Sequence, residues 1–557
     1  MTNHLTAVAA AVLATCAASA QAQTLTKGPS TSITPYVQGV LPGVDITSIL
    51  TTGDKVGSYR MGGIPDGLGA FDNGNGTFTV LMNHEIGNAL GVTRDYGGQG
   101  AYVSSWVINK SDLSVVSGGD LIKKVYGWDS TNQSVGAQIT NWNSSNSFNR
   151  FCSADLSPIS AYYNPATGLG TMDRIYMHGE EGGARGWQMA TVATGADKGN
   201  SYVLGKFNPS TNGSGLTAVG GWENALANPY AQNKTIVIGN NDGGTGVLNN
   251  ALAVYVGTKT NSGTAIDRAG LTNGTTMFVN VAGNSAEIPA ANAATRATGS
   301  ASGTAFTLSS SASTTFSRPE DGAWTLDGKH YYFATTDRLD TTEAAGGTQK
   351  GATRLWRLNF TDVTDPTAGG TIDLVIDGGS FAGGVGATKP NMFDNISVNS
   401  DGTVTLLEDT GGADHNGKIW QYDPSSGQLK ILAKADALRF GELDSSGTWT
   451  GPTLRTTPTA AGFHTNDEET SGVIDVSDIL GKNDGKKYQL FVTQDHASAS
   501  GLQAAGLLDL TANPAELVEG GQLMLMTTAA VPEPETYALM LAGLGLVAGV
   551  ARRRRQV

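Results

Sequence analysis

Five short parts of the sequence place acidic residues beside glycine, asparagine or proline at the ends of strand-like apolar runs. In chain order they are 63–69 with 83–85, 150–153 with 178–181, 317–322, 393–396 with 408–409, and 467–473 with 494–496. Loops at strand ends often converge on one face of a β fold, where ligands bind. Carboxylates are the hard oxygen ligands that Ca²⁺ takes in large coordination shells. Together the five parts predict a metal site, although each one alone is more typical of a turn or a solvated ion pair.

Cysteine usage adds a softer ligand to this set. Cys16 lies in an apolar N-terminal stretch with the features of a secretion signal, which leaves Cys152 as the single cysteine of the mature chain. A lone cysteine cannot form an intramolecular disulfide. Two interpretations stay open: a buried thiol that packs as a small apolar group, and a thiolate that ligates a metal ion.

Motifs for other chemistry are absent from the sequence. It contains no G-x-S-x-G, no Walker A loop, no H-E-x-x-H and no paired C-x-x-C. Residues 72–76 lack the terminal glutamate of an EF-hand loop at the right spacing. An excess of 49 Asp and Glu over 35 Lys and Arg disfavours nucleic-acid binding.

The elements expected to position these residues are β-strands. Apolar and polar residues alternate in short runs such as 77–82, 235–238 and 488–492, and Gly/Asn/Asp turns separate the runs. This pattern is typical of strands and hairpins. The chain also has 75 glycines, only 15% charged residues and few Leu-rich periodic stretches of the kind that helices need. We therefore expect an all-β fold.

The length of the region between the two chain ends favours one architecture within that class. Residues 23–530 exceed the usual size of a single domain, and a radial β-repeat accommodates such a length. This predicts a β-propeller with long loops, although no period is regular enough to indicate WD40 or kelch repeats. Residues 290–316 are nearly all Ala, Ser, Thr, Gly and Asn, and predict a low-complexity insertion that forms a mobile loop or an outer hairpin.

The N-terminus carries the features of a signal peptide. Residues 1–22 contain no Lys, Arg, Asp or Glu, have an apolar centre and finish on Ala20-Gln21-Ala22. This ending fits the A-x-A pattern that a signal peptidase reads. We expect cleavage after Ala22.

The C-terminus resembles a second export signal. Val531-Pro532-Glu533-Pro534 is followed by an apolar run at 537–551 and four arginines at 552–555. The run would form a short transmembrane helix whose arginine end stays in the cytoplasm. This order resembles the PEP-CTERM sorting signal of Gram-negative bacteria, in which an exosortase is thought to cut near the Pro-Glu-Pro. The resemblance implies transient inner-membrane anchoring, exosortase processing of 531–557, and a secreted or cell-surface product.

The acidic parts also resemble a family. "GIPDGLG…LMNHE", "FCSAD…MHGEE", "RPEDGAW…YYFATTD", "DNISVNSDGTVTLLED" and "EETSGVIDVSDILG…VTQDH" are similar to segments of the PhoX-type alkaline phosphatases and their phytase-like homologues, in the same order. The resemblance covers roughly residues 63 to 496. It departs around Cys152, because the family tends to have a Gly-rich segment after its cysteine and a Glu-Glu pair closer to it.

This resemblance implies a six-bladed propeller whose axial pocket holds two iron ions bridged to calcium ions. It implies iron ligation by Cys152, Glu181 and Glu320. It implies calcium or bridging roles for Glu85, Asp394, Glu408 and Asp409. In phosphate-ester hydrolysis the metals would neutralise non-bridging oxygens and supply an oxygen nucleophile. Arg318 is then the candidate clamp for the phosphoryl group, and His84 is a candidate contact to the leaving group.

Two functions follow from these observations. The first is an exported metal-dependent phosphatase that hydrolyses phosphate esters. The second is a catalytically silent, calcium-stabilised propeller that acts as a surface or extracellular-matrix protein. The Ser/Thr/Asn-rich surface would suit association with exopolysaccharide, and the altered region around Cys152 favours this second function. The acidic parts together with Arg318 favour the first.

Overall fold

A computed structural model describes residues 25–182, 185–207, 220–287, 303–336, 353–381, 389–411, 416–442 and 458–529. The predicted signal peptide at 1–22 and sorting signal at 531–557 lie outside these residues, as do residues 290–302 of the predicted insertion. The described part is mostly β-strand, in several antiparallel sheets. None of its helices is long and apolar enough to cross a membrane.

The strands are numbered in chain order. The N-terminal strands are β1 (Leu25–Lys27), β2 (Val37–Gly39), β3 (Val44–Thr51), β4 (Lys55–Val56) and β5 (Tyr59–Arg60). The remaining strands form six consecutive groups along the chain, which we call units 1 to 6. The first strand of each unit is the first in chain order of its set of paired strands that faces the other units. Unit 1 contains β6 (Pro65–Asp72), β7 (Thr77–His84), β8 (Tyr102–Asn109) and β9 (Val115–Asp120). Unit 2 contains β10 (Lys124–Asp129), β11 (Ser134–Ile139), β12 (Phe151–Asp155), β15 (Ile175–Glu180), β16 (Gln188–Val192) and β17 (Asn200–Val203), with the small hairpin β13 (Tyr163–Asn164) and β14 (Leu169–Gly170) beside it.

Four further units follow along the chain. Unit 3 contains β18 (Trp222–Ala227), β19 (Lys234–Asn241), β20 (Leu252–Thr258), β21 (Thr275–Val281) and β22 (Thr304–Ser309). Unit 4 contains β23 (Pro319–Trp324), β24 (His330–Thr335), β25 (Arg354–Phe360) and β26 (Gly370–Asp377). Unit 5 contains β27 (Phe393–Val398), β28 (Val404–Glu408), β29 (Lys418–Asp423) and β30 (Gln428–Ala435). Unit 6 contains β31 (Glu468–Asp475), β32 (Lys487–Ser498) and β33 (Glu519–Thr528).

The helices of the described residues are short and lie in the connections between strands. The α-helices are Ala265–Arg268, Ala437–Phe440, Ser477–Leu480, Ala499–Ala504 and Pro514–Leu517. The 3₁₀ turns are Ile159–Ala161, Gly205–Phe207, Gly246–Leu248, Pro366–Ala368 and Gly378–Ser380. The prediction of a predominantly β fold is confirmed.

The first strands of the six units form a closed ring. Strands β6, β12, β18, β23, β27 and β31 each contact the next in this order, and β31 contacts β6. The contact between β6 and β12 is close, because a Cβ atom on Gly67 would lie 2.2 Å from the backbone nitrogen of Ala154. Only glycine fits there. The ring brings residues that are distant in sequence to one axis.

Both ends of the described chain are joined to the ring. Strand β3 pairs antiparallel with β33 and completes unit 6, and β2 pairs antiparallel with β30 at the edge of unit 5. The backbone N–H of Tyr36 also donates to Gln522 Oε1 at 2.7 Å. Because the N-terminal strands cover edges of the last two units, these units are not left with long open edges.

Apolar side chains fill the space between neighbouring units. In β19, Ile236 and Ile238 pack toward unit 4, while Val237 packs toward unit 2. Successive side chains of a strand point to opposite faces, so one apolar run serves two interfaces. Separate clusters of this kind lie between all six pairs of neighbouring units. Full burial of one large apolar side chain contributes about 1.5–3 kcal/mol, and these clusters hold the ring together.

The described half of the predicted insertion is ordered. Strand β22 pairs with β21 and with β26, and so joins units 3 and 4 into one nine-stranded sheet. Phe306 is buried in the cluster between these units. The sequence predicted a mobile loop or an outer hairpin for 290–316, and in the described part β22 is the antiparallel neighbour of β21. Composition alone does not show that Phe306 finds a buried partner surface.

Candidate metal centre

Each first strand carries an acid or a thiol at its second position. These residues are Asp66, Cys152, Glu223, Glu320, Asp394 and Glu469. All six are buried. Because the six strands form a ring, equivalent positions meet at one end of the axis. We call these six residues the inner layer.

A local feature of the strand pairing exposes the inner layer to the axis. In units 1, 2, 4 and 5 the pairing of the first two strands shifts directly after the first residue, as between Pro65 and Leu68, and in unit 3 it shifts between Trp222 and Asn224. Such a bulge leaves a residue out of the ladder and re-aims its side chain. In unit 6 the shift lies later, between Ser471 and Ile474.

A second layer of polar residues stands beside the first. The first residue of each first strand pairs with His84, Glu180, Asn241, Thr335, Glu408 or Asp495 on the second strand. The residue that follows each of these belongs to the second layer: Glu85, Glu181, Asp242, Thr336, Asp409 and His496. In five units the backbone N–H of this residue donates to the carbonyl of the residue just before the first strand, as Glu85 does to Ile64 at 2.9 Å.

Three groups within the two layers have ligand atoms within 4.8 Å of one another. They are Asp66, Glu85 and Cys152; Glu223, Glu320 and Asp394; and Asp394, Asp409 and Glu469. Asp394 belongs to two of the groups. The thiol of Cys152 also donates to Glu181 Oε2 at 3.3 Å.

Burial and mutual repulsion keep most of these carboxyl groups from ionising at their usual pH. Burial, followed by the charges of Glu223 and Glu85, raises the pKa of Asp66 well above its usual range. Burial also raises the pKa of Glu181 to about 8 and that of Glu223 to about 7. The pKa values of Glu320, Asp394 and Glu469 are raised in the same way. A charged form of this ring therefore requires cations.

Glu85 is the exception, because a neighbouring arginine compensates its negative charge. Burial raises its pKa, but Arg150, Gln494 and His496 together lower it below the usual value. Arg150 Nε donates to Glu85 Oε1 at 2.7 Å, and Arg150 Nη2 forms an ion pair with Glu181 Oε2. Burial, followed by Glu181 and Glu85, raises the pKa of the Cys152 thiol.

Arg318 is held in a similar way on the other side of unit 3. Its Nε and Nη2 donate to Asp242 Oδ2 at 3.0 and 2.8 Å. Its Nη2 also lies 2.9 Å from Glu320 Oε1, an ion pair without hydrogen-bond geometry. The side chain of Arg318 is about one-third exposed, at 35%, so it is reachable from solvent while Asp242 and Glu320 are buried.

Gln494 is a neutral donor in the middle of the acids. Its Nε2 lies 3.0 Å from Asp66 Oδ2, 2.9 Å from Glu85 Oε2 and 3.2 Å from Glu469 Oε1. Its Oε1 is buried and has no hydrogen-bond partner among the described residues. A buried carbonyl oxygen without a donor costs about 1–3 kcal/mol, and a cation beside it would satisfy it.

Most of the residues predicted from sequence come together in the two layers. These are Glu85, Cys152, Glu181, Glu320, Asp394 and Asp409, with Arg318 beside them. The sequence analysis did not select Asp66, Glu223, Asp242 or Glu469 as ligands. The signal that could have found them is the repeated position: an acid or a thiol is second in each first strand, and an acid follows the second strand in four of the six units.

His84 and Glu408 are not brought to the ring. His84 Nδ1 lies 2.9 Å from Gly63 O and its Nε2 lies 2.9 Å from Ser104 Oγ. Its ring stacks on Tyr102, and burial lowers its pKa to about 3. Both residues precede a second-layer residue by one position, so alternation along the strand turns their side chains away from the axis.

The partners of Glu408 lie inside unit 5. Trp420 Nε1 donates to Glu408 Oε1 at 2.8 Å, and Lys418 Nζ donates to Glu408 Oε2 at 3.3 Å. The backbone N–H of Asn391 donates to Oε1 at 2.9 Å. We therefore leave His84 and Glu408 out of the proposed ligand and catalytic sets.

Comparison with known protein families finds a sorting motif at the C-terminus. Residues 530–555 match the PEP-CTERM protein-sorting motif. This confirms the predicted sorting signal and implies exosortase processing, export and sorting to the cell surface. No curated protein matches the chain.

Two solved structures are similar to parts of the fold. One is the β-propeller domain of the Trilobed protease from Pyrococcus furiosus, at 8% identity and a TM-score of 0.18, covering 48% of this chain and 52% of that one. The other is a thermostable family-43 glycoside hydrolase, at 11% identity and a TM-score of 0.31, covering 68% of this chain and 95% of that one. The chain thus spans about half the length of the protease propeller.

Proposed function

We propose that this protein is an exported, metal-dependent phosphatase that hydrolyses phosphate esters at or outside the cell surface. The observation that carries the proposal is the repetition of an acid or thiol at the second position of all six first strands. Burial of this many carboxyl groups at one point is unfavourable without cations. The resemblance of the same segments to the PhoX-type phosphatases supports the choice of reaction.

The proposed scaffold is a six-bladed propeller, each unit being one blade. The closed ring of first strands and the six separate apolar clusters between neighbouring units support this interpretation. In a propeller, the innermost strands line the axis and hold residues from different blades around a single ligand. That arrangement accounts for a site built from all parts of the chain.

The donor atoms of the two layers fit calcium and, in the group that contains Cys152, iron. We call that group the iron corner. Glu223, Glu320 and Asp394 form one all-oxygen group, and Asp409 and Glu469 form another around the same Asp394, as hard Ca²⁺ requires. The unsatisfied Oε1 of Gln494 offers a further oxygen. Cys152 adds a thiolate donor beside acids, a combination that suits iron. When bound, such ions neutralise phosphoryl oxygens and supply an oxygen nucleophile near neutral pH.

The residues that we propose as iron ligands differ from the set implied in the sequence analysis. The sequence analysis grouped Cys152 with Glu181 and Glu320. In the structure the thiol lies with Asp66 and Glu85, and next to Glu181, whereas Glu320 lies with Glu223 and Asp394. We propose Asp66, Glu85, Cys152 and Glu181 for this corner.

The contacts of Arg318 support its proposed role as a phosphoryl clamp. Asp242 fixes its Nε and Nη2, and Glu320 fixes the same edge. The fixed guanidinium can donate its remaining N–H groups to phosphoryl oxygens. A donor that is held before substrate arrives stabilises the developing charge without reorganisation.

The experiment that tests this function is hydrolysis of an aryl phosphate at alkaline pH by the mature protein, reconstituted with calcium and iron. Arg318→Ala should lower the rate by roughly 10²–10³-fold, the scale of one preorganised transition-state contact, with bound metal unchanged. Arg268→Ala is a matched control, because Arg268 forms a partly buried ion pair with Asp173, outside the two layers. A reconstituted wild-type protein that is inert toward phosphate esters would contradict the proposal.

A catalytically silent propeller is the second candidate. The ion pairs of Arg150 with Glu85 and Glu181 favour it, because they neutralise part of the ring without a metal. Such a protein would keep calcium at the remaining acids for rigidity and act as a surface or matrix protein, in contact with exopolysaccharide. Calcium binding without phosphate-ester hydrolysis would support this candidate.

A further inference from the structure

A cavity of about 320 Å³, which we call the far cavity, lies along the axis of the ring beyond the inner layer. All six first strands line it, with residues that come after the inner-layer residue of the same strand. In unit 4, for example, Glu320 belongs to the inner layer and residues 321–324 line the cavity. Arg150 and Arg318 directly precede their first strands, so the far cavity and these arginines lie toward opposite ends of the ring.

The walls of the far cavity are largely apolar. They include residues from five of the six units: Leu68, Leu226, Trp324, Ile396 and Ile474. Trp324 Nε1 donates to Leu226 O at 3.0 Å, which fixes the orientation of the indole ring. The volume is roughly ten times that of one water molecule in the liquid, near the lower limit for small-molecule pockets. A small ligand with an apolar body therefore fits.

The charged residues that line the far cavity are all of one sign. They are Asp155, Asp321, Asp475 and Asp478. No Lys, Arg or His is among the described residues that line it. Burial raises the pKa of Asp155 to about 6, and the effects that oppose this rise are hydrogen bonds from Ser157 and Ala227 rather than a positive charge. The far cavity therefore favours a cationic ligand.

The ligand also has to supply hydrogen-bond donors. Ser157 Oγ already donates to Asp155 Oδ2, and Asn395 Nδ2 donates to Asp394 Oδ1 at 2.7 Å. Asp155 keeps acceptor capacity, because an ionised carboxylate has about four lone-pair sites. An ammonium group carries N–H donors and a positive charge, so it matches this carboxylate in both respects.

A metal ion matches the far cavity less well. Among the described residues, the groups whose ligand atoms lie within 4.8 Å of one another contain none of the four acids that line it. Calcium takes roughly six to eight oxygen ligands, which apolar walls do not offer. An organic ammonium ion needs one carboxylate as its partner and can lie against the face of an aromatic ring such as that of Trp324.

We propose that the far cavity is a second binding site, which takes a small organic amine. The ammonium group of the ligand pairs with Asp155, and its apolar body packs against Leu226 and Trp324. Binding at this site needs no metal and is separate from the proposed phosphatase site. A phosphate ester is excluded from it, because the acids of the lining repel an anion.

Titration calorimetry with three probes of similar size tests the inference on the mature protein, in calcium-containing buffer at about pH 8, where the carboxyl group of Asp155 is ionised. The probes are phenethylamine, which is cationic, phenethyl alcohol, which is neutral, and hydrocinnamate, which is anionic. We expect the amine to bind at least about tenfold more tightly than the alcohol, the scale of one charge-assisted hydrogen bond. Hydrocinnamate should not bind.

Two variants locate the bound amine. Asp155→Asn keeps the shape of the side chain and removes its charge, so it should weaken amine binding by roughly 10- to 100-fold and change alcohol binding by less than about twofold. Asp373→Asn, on β26 and outside the far cavity, should bind the amine as wild type does. Wild-type protein without a preference for the amine over the alcohol would overturn the inference. So would Asp155→Asn with a normal melting curve and unchanged affinity for the amine. Either result leaves the proposed phosphatase function standing.

Discussion

Arg318 donates two hydrogen bonds to a single oxygen of Asp242, at 3.0 and 2.8 Å, although the two residues belong to different units of the ring. Asp242 directly follows β19 and is buried, while Arg318 directly precedes β23 and is partly exposed. The bond therefore ties the rim of unit 4 to the end of a strand in unit 3. It also orients the guanidinium that we propose as the phosphoryl clamp.

Asp242→Asn should lower kcat by about tenfold, because the amide keeps the shape but loses the charge-assisted bonds that fix Arg318. Asp373→Asn is the matched control, since Asp373 accepts from Arg357 at 2.8 Å on outer strands. Steady-state kinetics on an aryl phosphate compare the two variants. Equal activity of Asp242→Asn and wild type would show that Arg318 does not depend on this contact.

The stability of the metal-free protein should fall as the pH rises. Folded-state pKa values of about 7 for Glu223 and about 8 for Glu181 lie above the ordinary 4.5. Between pH 4.5 and these folded-state pKa values, the folded protein holds protons that the unfolded chain has released. A rise in pH within this window therefore favours unfolding. The destabilisation should be absent near pH 4 and complete above about pH 8.

Thermal melting of chelator-treated protein between pH 5 and pH 8 measures this effect. Tm should decrease across the range, and added calcium should raise Tm more at pH 8 than at pH 5, because ionised carboxylates bind it without releasing protons. A Tm that is independent of both pH and calcium would mean that the ring does not bind cations.

Cys152→Ala tests the thiolate ligand. If Cys152 ligates iron, the iron-loaded wild type should be coloured by thiolate-to-iron charge transfer, and the variant should lose both colour and activity. Absorption spectra and activity of the two proteins give the answer. A variant with full activity would show that the thiol only packs beside Glu181.

Processing at both ends should be visible in the native protein. The sorting motif at 530–555 and the A-x-A ending at Ala22 predict a mature chain that begins at Gln23 and ends near Pro534. Mass spectrometry of extracellular protein determines both termini. Extracellular protein that retains Arg552–Arg555 would contradict exosortase processing.

The sequence predicted the fold class because strand signals are local. Alternating runs such as 77–82 and the turns between them need no knowledge of distant contacts. The completion of unit 6 by β3 is different, since β3 pairs with β33 and so joins residues from the two ends of the described chain. Nothing local in Val44–Thr51 identifies its partner.

The candidate site was predictable only in part, because some of its signals are local and others depend on distant strand pairing. Acids near strand ends could be found one by one, but the direction of each side chain depends on pairing register. His84 and Glu85 are adjacent, yet register turns His84 toward Tyr102 and leaves Glu85 at the ring. Asp242 was hidden in an Asn-Asp-Gly-Gly sequence that is typical of a hairpin turn.

The central claim is that the two layers hold metal ions, and elemental analysis of the purified mature protein tests it most directly. We expect calcium, with iron at the Cys152 corner, in the wild type. Asp394→Asn, which weakens a residue shared by two ligand groups, should lose calcium, while Asp373→Asn on the outer strands should lose none. Wild-type protein that is free of metal after purification and after dialysis against calcium and iron would contradict the account.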